Sequence, residues 1–196
     1  MSTNDLSMFP YIKLIEKYYQ PKSLRHKIYL PHCTAVKDLS LKIARAHPEF
    51  GADLEVLEMA AMMHDIGIYF TDAPDIGCFG TLPYLAHGYK GRELLEKEGL
   101  REVAPSCERH IGVGITIADI EKNNLPVPKR DMTPQTIEEK IVCFADKFYS
   151  KSSHNLLLPK PLEKVKKSIR KYGEEKWTVF EGMIEMFGIE QVYGSV

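Results

Sequence analysis

Six residues whose side chains can bind a metal each lie at a predicted helix end or on the apolar face of a predicted helix. Four are histidines and two are aspartates: His32, His64, Asp65, His87, His110 and Asp146. A carboxylate among apolar residues is costly to bury unless a cation or a hydrogen-bond donor meets it. Imidazole nitrogen and carboxylate oxygen together suit first-row cations such as Mn, Fe, Co or Zn. These six residues therefore predict a buried metal site.

The number of candidate ligands bears on how many cations such a site would hold. Six ligands exceed what one catalytic cation needs, because a catalytic site keeps open coordination positions. They are enough for two cations about 3.5–4 Å apart that share a bridging carboxylate. The six residues lie on five predicted helices, so the site requires those helices to bundle around one point.

The central element is the segment Leu57–Tyr69, LEMAAMMHDIGIY. Its apolar spacing predicts a helix that ends on His64 and Asp65 and is stopped by Gly67. Asp53 is the predicted N-cap of this helix. Two adjacent side chains that can bind a metal are thereby expected at the end of an apolar helix.

The other candidate ligands are predicted on four further helices. A second helix is predicted to open at Pro31, after an irregular basic link, with His32 at the start of its core-facing side. His87 is expected in the first turn of a helix over residues 85–98. His110 is expected to end a short helix.

Asp146 is predicted on a helix that follows Thr133-Pro134, with a possible capping box from Thr136 to Glu139. Two more helices are predicted near the end of the chain, and residues 70–83 and 123–131 are predicted long loops. Alternation with a period of two does not extend beyond four residues, which excludes a sizeable sheet. The predicted fold is therefore an all-α, single-domain helical bundle with a metal site in its centre.

Composition narrows the functional classes. The 196 residues are 44% hydrophobic and carry a formal net charge of −1, so nucleic acid is an unlikely partner. No apolar run reaches the roughly 20 residues needed to span a bilayer, and no secretory signal is recognised. Four dispersed cysteines favour reduced thiols and a cytoplasmic location. The sequence leaves oligomerisation open.

The order of the six residues resembles the H…HD…D pattern of the HD-domain metal-dependent phosphohydrolase superfamily. Residues 64–67 spell HDIG, a frequent subgroup form, and His87 and His110 are similar to the two extra histidines of dinuclear members. Segments such as HCTAVKDLSLKIA, HGYKGRELLEKEGL and TIEEKIVCFADKF also look like this family. The resemblance covers about residues 25–151. It predicts an N-terminal helix in 1–24, an HD domain in 25–151, and C-terminal helices in 152–196 that complete the same domain.

The resemblance implies one or two divalent ions (Mn, Fe, Co, Ni or Zn, with Mg as a further candidate). The implied ligands of the first are His32, His64, Asp65 and Asp146, and those of the second are His87 and His110, with Asp65 as the bridge. The implied reaction is attack by a metal-activated hydroxide on a phosphate ester or anhydride of a small, nucleotide-like molecule. Lys147 resembles the lysine of the family's ADK segment and is a candidate catalytic and phosphate-binding residue. Arg109, beside a candidate ligand, is a candidate substrate contact; a surface salt bridge is the alternative.

Two rival interpretations stay open. Mixed-valent di-iron oxygenases of the HD type use the same order of six ligands. Non-catalytic HD-like binding modules have lost ligands, whereas all six positions are filled here. The chain has Arg109-His110 where the cyclic-dinucleotide phosphodiesterases with HD-GYP domains carry a pair of histidines, and it lacks their GYP signature. Both departures argue against cyclic di-GMP as the substrate.

Overall fold

The structure, a computed structural model, describes residues 10–151 and 156–194. Ten helices lie in these residues: α1 Pro10–Tyr18, α2 Leu24–Ala46, α3 Leu54–Met63, α4 His87–Lys97, α5 Ala104–Arg109, α6 Ile117–Asn123, α7 Ile137–Asp146, α8 Leu162–Arg170, α9 Glu174–Phe187 and α10 Glu190–Tyr193. Two-residue strands, β1 Asp72–Ala73 and β2 Cys78–Phe79, pair antiparallel. The all-α prediction is confirmed, and the small hairpin occupies the predicted loop 70–83.

One apolar core unites most of these helices. Helix α3 packs against both α2 and α7, and α4 packs against α5 and against the 3₁₀ turn Ile66–Phe70. Buried side chains of α1, such as Ile15, and of α9, such as Phe180, belong to the same core. Helices α2, α5 and α7 therefore pack against α3 itself, and α4 packs against the turn that follows it. The three-part division of the chain stays a prediction, and 1–9, 152–155 and 195–196 lie outside the described residues.

Helix α2 begins earlier than predicted. It starts at Leu24, and the hydroxyl of Ser23 caps it by accepting a hydrogen bond from the backbone N–H of His26 at 3.3 Å. Pro31 lies inside the helix, so the predicted irregular link and the predicted start at Pro31 are wrong. Proline removes only one backbone hydrogen bond here, and buried residues on both sides of it, such as Tyr29 and His32, hold the helix together.

Helix α3 confirms one local prediction and corrects another. Asp53 is the N-cap, and its carboxylate accepts from the backbone N–H groups of Glu55 and Val56. The helix ends at Met63, and the chain continues through Gly67 as a 3₁₀ turn. Gly67 is therefore not a stop signal. A Cβ at this position would lie 2.0 Å from the carbonyl oxygen of residue 87, so the glycine permits close packing against α4.

Helix α7 starts at Ile137, three residues after the predicted first-turn proline. The capping box of Thr136 and Glu139 is confirmed, because each side chain bonds the other residue's backbone N–H. Helix α6 was not predicted; it opens with a second capping box, formed by Thr116 and Asp119. Both predicted C-terminal helices are present as α8 and α9.

Candidate metal centre

The six candidate ligands meet in the interior, where all six are buried. The first group forms where α2, α3 and α7 meet. His32 Nε2 lies 3.2 Å from Asp65 Oδ2 and 3.1 Å from Asp146 Oδ1. His64 Nε2 lies 3.2 Å from Asp65 Oδ2 and 3.5 Å from Asp146 Oδ1. Two imidazole nitrogens and two carboxylate oxygens thus point at a common volume.

A second group shares Asp65 with the first. The other carboxylate oxygen, Oδ1, lies 3.6 Å from His87 Nε2 and 3.5 Å from His110 Nε2. The two Nε2 atoms of these histidines are 3.3 Å apart. Each group has its ligand atoms within 4.8 Å of one another, so each could hold one cation. Asp65 directs one oxygen to each group, as a bridging carboxylate would.

Backbone carbonyls orient three of the four imidazoles. A carbonyl oxygen can only accept a hydrogen bond, so each Nδ1 in contact with one carries the proton and leaves Nε2 with its lone pair. These contacts are His64 Nδ1 to Ala61 O at 2.7 Å, His87 Nδ1 to Tyr84 O at 2.6 Å, and His110 Nδ1 to Ser106 O at 3.1 Å. The tautomer set by the helix ends is the one that a metal ligand needs.

The hydrogen bonding of the first group indicates that a cation fits it. Buried atoms without a hydrogen-bond partner within the described chain include His32 Nε2 and His64 Nε2, and both face Asp65 Oδ2, which the Lys151 ammonium contacts at 2.7 Å. Buried polar atoms are rarely left unpaired, and removing a charge from water without compensation costs several kcal/mol. A divalent cation would satisfy the two nitrogens together with Asp65 Oδ2, and nitrogen with oxygen is a donor set that such cations accept.

The charges of the centre are strongly perturbed. Burial opposes the charge of Asp65, but Lys151 and His64 outweigh it and hold the pKa of this carboxyl well below its usual range. Burial also opposes charge on His64, yet Asp65 and Asp146 raise the pKa of His64 to about 9. Burial lowers the pKa of His87 to about 3. His87 is thus neutral at pH 7, which is the state that binds a metal.

Lys151 is a residue of the centre that the sequence analysis missed. Its Nζ lies 2.7 Å from Asp65 Oδ2 and 3.9 Å from Asp146 Oδ1. No sequence signal marks this lysine, apart from its position shortly after Asp146. The contact depends on the path of the chain beyond α7, which the pattern of helices leaves open.

The structure separates the two candidate substrate contacts. Lys147 Nζ lies 2.8 Å from Asp146 Oδ2 and donates to the carbonyl oxygen of His110 at 2.9 Å, so it is at the edge of the centre. The Arg109 guanidinium instead bonds both carboxylate oxygens of Glu139, at 2.7 and 3.0 Å. The predicted roles of both residues in substrate binding stay predictions, and the geometry favours Lys147.

With this geometry in place, the comparisons with known proteins decide the family. The family model described as "HD domain" matches residues 29–150, which include all six residues of the centre. The chain belongs to the HD-domain family. Whether this HD-domain protein also shares properties of the HDIG subgroup stays a prediction.

This HD-domain protein resembles proteins of Methanocaldococcus jannaschii, Picrophilus torridus and Thermoplasma volcanium. An uncharacterised protein of Methanocaldococcus jannaschii is 35% identical over 128 residues, which are 64% of this chain and 68% of that protein. A tRNA (cytidine(56)-2'-O)-methyltransferase of Picrophilus torridus is 32% identical over 124 residues, or 63% of this chain. The matched region spans only 32% of that methyltransferase, and 31% of its counterpart in Thermoplasma volcanium.

A solved structure shares the fold. The crystal structure of the HD domain of the phosphodiesterase PgpH from L. monocytogenes aligns with a TM-score of 0.51 over 91% of each chain, at 15% identity. This likeness concerns the fold alone. None of the helices in the described residues is long and apolar enough to cross a membrane.

Proposed function

We propose that this HD-domain protein is a metal-dependent phosphohydrolase that cleaves a phosphate ester or anhydride of a small, nucleotide-like molecule. The observation that carries the proposal is the division of the Asp65 carboxylate, with one oxygen facing each group of ligands. We further propose the cytoplasm as its location, in keeping with four free cysteines, all buried.

The roles proposed for the protein's residues follow from their contacts. When bound, divalent cations in two such sites lower the pKa of water towards neutrality and offset charge on phosphoryl oxygens. His32, His64 and Asp146 would hold one cation, His87 and His110 the other, and Asp65 would bridge them. The carbonyl contacts of the histidines fix their rings beforehand, so that little reorganisation accompanies the reaction.

Lys147 is the proposed phosphate contact. Its ammonium is held at the edge of the centre by Asp146 and by the carbonyl oxygen of His110, where it can act on a phosphoryl oxygen as a point charge. Arg109 is left out of the proposed site, because its guanidinium pairs with Glu139, which is not a candidate ligand, whereas Lys147 pairs with Asp146 of the centre.

The first test is elemental analysis of protein purified without a chelator, followed by a panel of phosphate esters and nucleotides. Asp65→Asn should lower metal content and reduce turnover by at least about 100-fold. Mutation of a residue that merely hydrogen-bonds to a metal ligand already costs about 10–100-fold in metal affinity or activity. Asp38→Asn is the matched control, because the Asp38 side chain is 66% exposed and pairs only with Lys37 in the described chain. Wild-type turnover in Asp65→Asn would overturn the proposal.

Two further measurements distinguish a phosphohydrolase from an oxygenase and from a non-catalytic binding module. His87→Ala and His110→Ala should each lower the metal content from about two ions towards one; an unchanged content would show that these histidines have another role. Phosphate release should continue without dioxygen. Turnover that requires iron and dioxygen would instead establish an oxygenase, and a folded protein that binds no metal would establish a binding module.

A further inference from the structure

Three lysines come together after α7, beside the candidate metal centre. Lys147 follows the last residue of α7, and Lys151 lies four residues further on. Lys160 returns to the same turn, because its backbone N–H donates to the carbonyl oxygen of Phe148 at 2.7 Å. The Tyr193 hydroxyl also donates to the carbonyl oxygen of Lys160 at 2.5 Å. The backbone of Lys160 is therefore fixed against the turn that carries the other two lysines.

Lys160 differs from the two other lysines of this group. Lys147 has Asp146 as its partner, and Lys151 has Asp65. Lys160 is half-buried, and its ammonium has neither a hydrogen bond nor an ion pair within residues 10–151 and 156–194. Partial burial of a cation is unfavourable unless a partner compensates it, so an anionic ligand would supply the missing negative charge.

The surroundings of Lys160 support this view. Burial lowers the pKa of Lys160 to about 8; attraction to Asp146 opposes this shift, and repulsion from Lys147, Lys151 and Lys164 adds to it. The charges acting on Lys160 thus include one carboxylate and three other lysines. An additional anion close to Lys160 would offset the free-energy cost of burying its charge and would reduce the repulsion among the lysines.

The charge balance indicates how much negative charge the site can accept. With the histidines neutral, as metal binding requires, Asp65 and Asp146 supply two negative charges and the three lysines three positive ones, which leaves one positive charge in excess. The two divalent cations of the proposed function would raise the excess to five. A cation in the first group would also compete with the Lys151 ammonium for Asp65 Oδ2, since both are cations drawn to the same oxygen. The attacking hydroxide brings one negative charge and a phosphate monoester at most about two, so together they do not neutralise the site.

We propose that Lys160, together with Lys151, forms a subsite for a second anionic group of the substrate. The inference deepens the proposed function and depends on it. The substrate class is then a phosphorylated molecule that carries a further phosphate or carboxylate, rather than a simple monoester. Lys147 contacts the phosphate that is cleaved, and Lys151 and Lys160 hold the second group.

Binding of stable phosphonates to the metal-loaded full chain tests this subsite without turnover. Methylphosphonate has one anionic group, phosphonoacetate adds a carboxylate, and methylenediphosphonate adds a second phosphonate. Calorimetry should show that at least one of the two longer ligands binds about tenfold more tightly than methylphosphonate, about 1.4 kcal/mol. Which of the two is favoured identifies the second group. Metal content measured after each titration shows that the ligands have not removed the cation.

Three variants test whether Lys160 is responsible for the tighter binding of the longer ligands. Lys160→Met should lose about tenfold in affinity for the favoured longer ligand and keep its affinity for methylphosphonate within about twofold. Lys160→Arg should retain the preference. Lys167→Met, on the exposed side of α8, removes the same charge elsewhere and should leave all three affinities unchanged.

Three results would overturn the subsite. The wild-type protein could bind the longer ligands no more tightly than methylphosphonate. Lys160→Met could lose affinity for all three ligands equally, or Lys167→Met could lose as much affinity as Lys160→Met. The wild-type comparison needs no variant and holds even if a variant misfolds. Ester hydrolysis without the binding preference would refute the subsite alone. The binding preference without hydrolysis of any phosphate in the panel would refute the proposed function alone.

Discussion

Gly67 is the point at which the turn after His64 and Asp65 touches α4, and replacing it by alanine tests the geometry of the centre. The added Cβ would lie 2.0 Å from the carbonyl oxygen of His87 and 2.4 Å from the backbone nitrogen of Gly91. Ordinary heavy-atom contacts are about 3.5 Å, so α4 would have to move by about 1 Å or more. Both obstructing atoms belong to the backbone, and rotation of a side chain cannot relieve the clash.

The displacement has two expected consequences. Overpacking of this kind costs about 1–3 kcal/mol of unfolding free energy, and for a chain of this length each kcal/mol lowers Tm by roughly 2–4 °C. Because α4 begins at His87, whose Nε2 is 3.6 Å from Asp65 Oδ1, the same movement widens the second group of ligands. Gly67→Ala should therefore be less stable and should also bind less metal.

Guanidinium unfolding and elemental analysis measure both effects. The matched control is Gly182→Ala in α9, where a Cβ would meet no atom within 4 Å and where alanine should stabilise the helix by about 0.4–1 kcal/mol. If Gly67→Ala kept wild-type stability and full metal content, the close approach of the 3₁₀ turn to α4 would be refuted. The claim that this contact fixes α4, and with it the position of His87, would be refuted as well.

Three further predictions concern the rest of the molecule. Glu108 is fully buried between two arginines, so Glu108→Gln should cost about 2–3 kcal/mol in chemical unfolding, against less than about 1 kcal/mol for Glu93→Gln in an exposed pair. Burial opposes the charge of Asp119, but hydrogen bonds from Lys176 and Thr116 hold its pKa below the usual value. The charged Asp119 carboxylate therefore stabilises the folded state above about pH 4, and this stabilisation is lost as the pH falls through the folded pKa. The difference in unfolding free energy between wild type and Asp119→Asn should shrink over that range. A constant difference would refute the prediction. Addition of Mn²⁺ or Zn²⁺ at about 100 times Kd should stabilise metal-free protein by about 2.7 kcal/mol, which a thermal melt would detect and an unchanged Tm would contradict.

Features that depend on contacts within a few residues could be predicted from the sequence. Asp53 caps α3, and Thr136 with Glu139 caps α7, because each bond links residues two or three apart. The helical class could also be predicted, since apolar residues recur with the helical period. The order of the histidines and aspartates carried the family resemblance, and the match to the HD-domain model bears it out.

Features that depend on contacts distant in sequence could not be predicted. The start of α2 is a separate case, because its cap at Ser23 is a local contact: proline usually opens or breaks a helix, which predicts a start at Pro31, but the cap and the buried residues around the proline prevail. The function of Gly67 lies in a neighbour twenty residues away, at His87. Arg109 lies next to a candidate ligand in sequence, yet its guanidinium meets Glu139 on another helix.

The match to the family model ends just before two of the three lysines beside the centre. The match ends at residue 150 and includes the six candidate ligands and Lys147. Lys151 and Lys160 lie beyond it, although Lys151 contacts Asp65 at 2.7 Å. If metal binding belongs to the matched region and the second anionic group is held from outside it, relatives with the same six ligands need not share a substrate. The substrate of this protein should then be sought through the charges that follow α7 rather than through the ligand pattern.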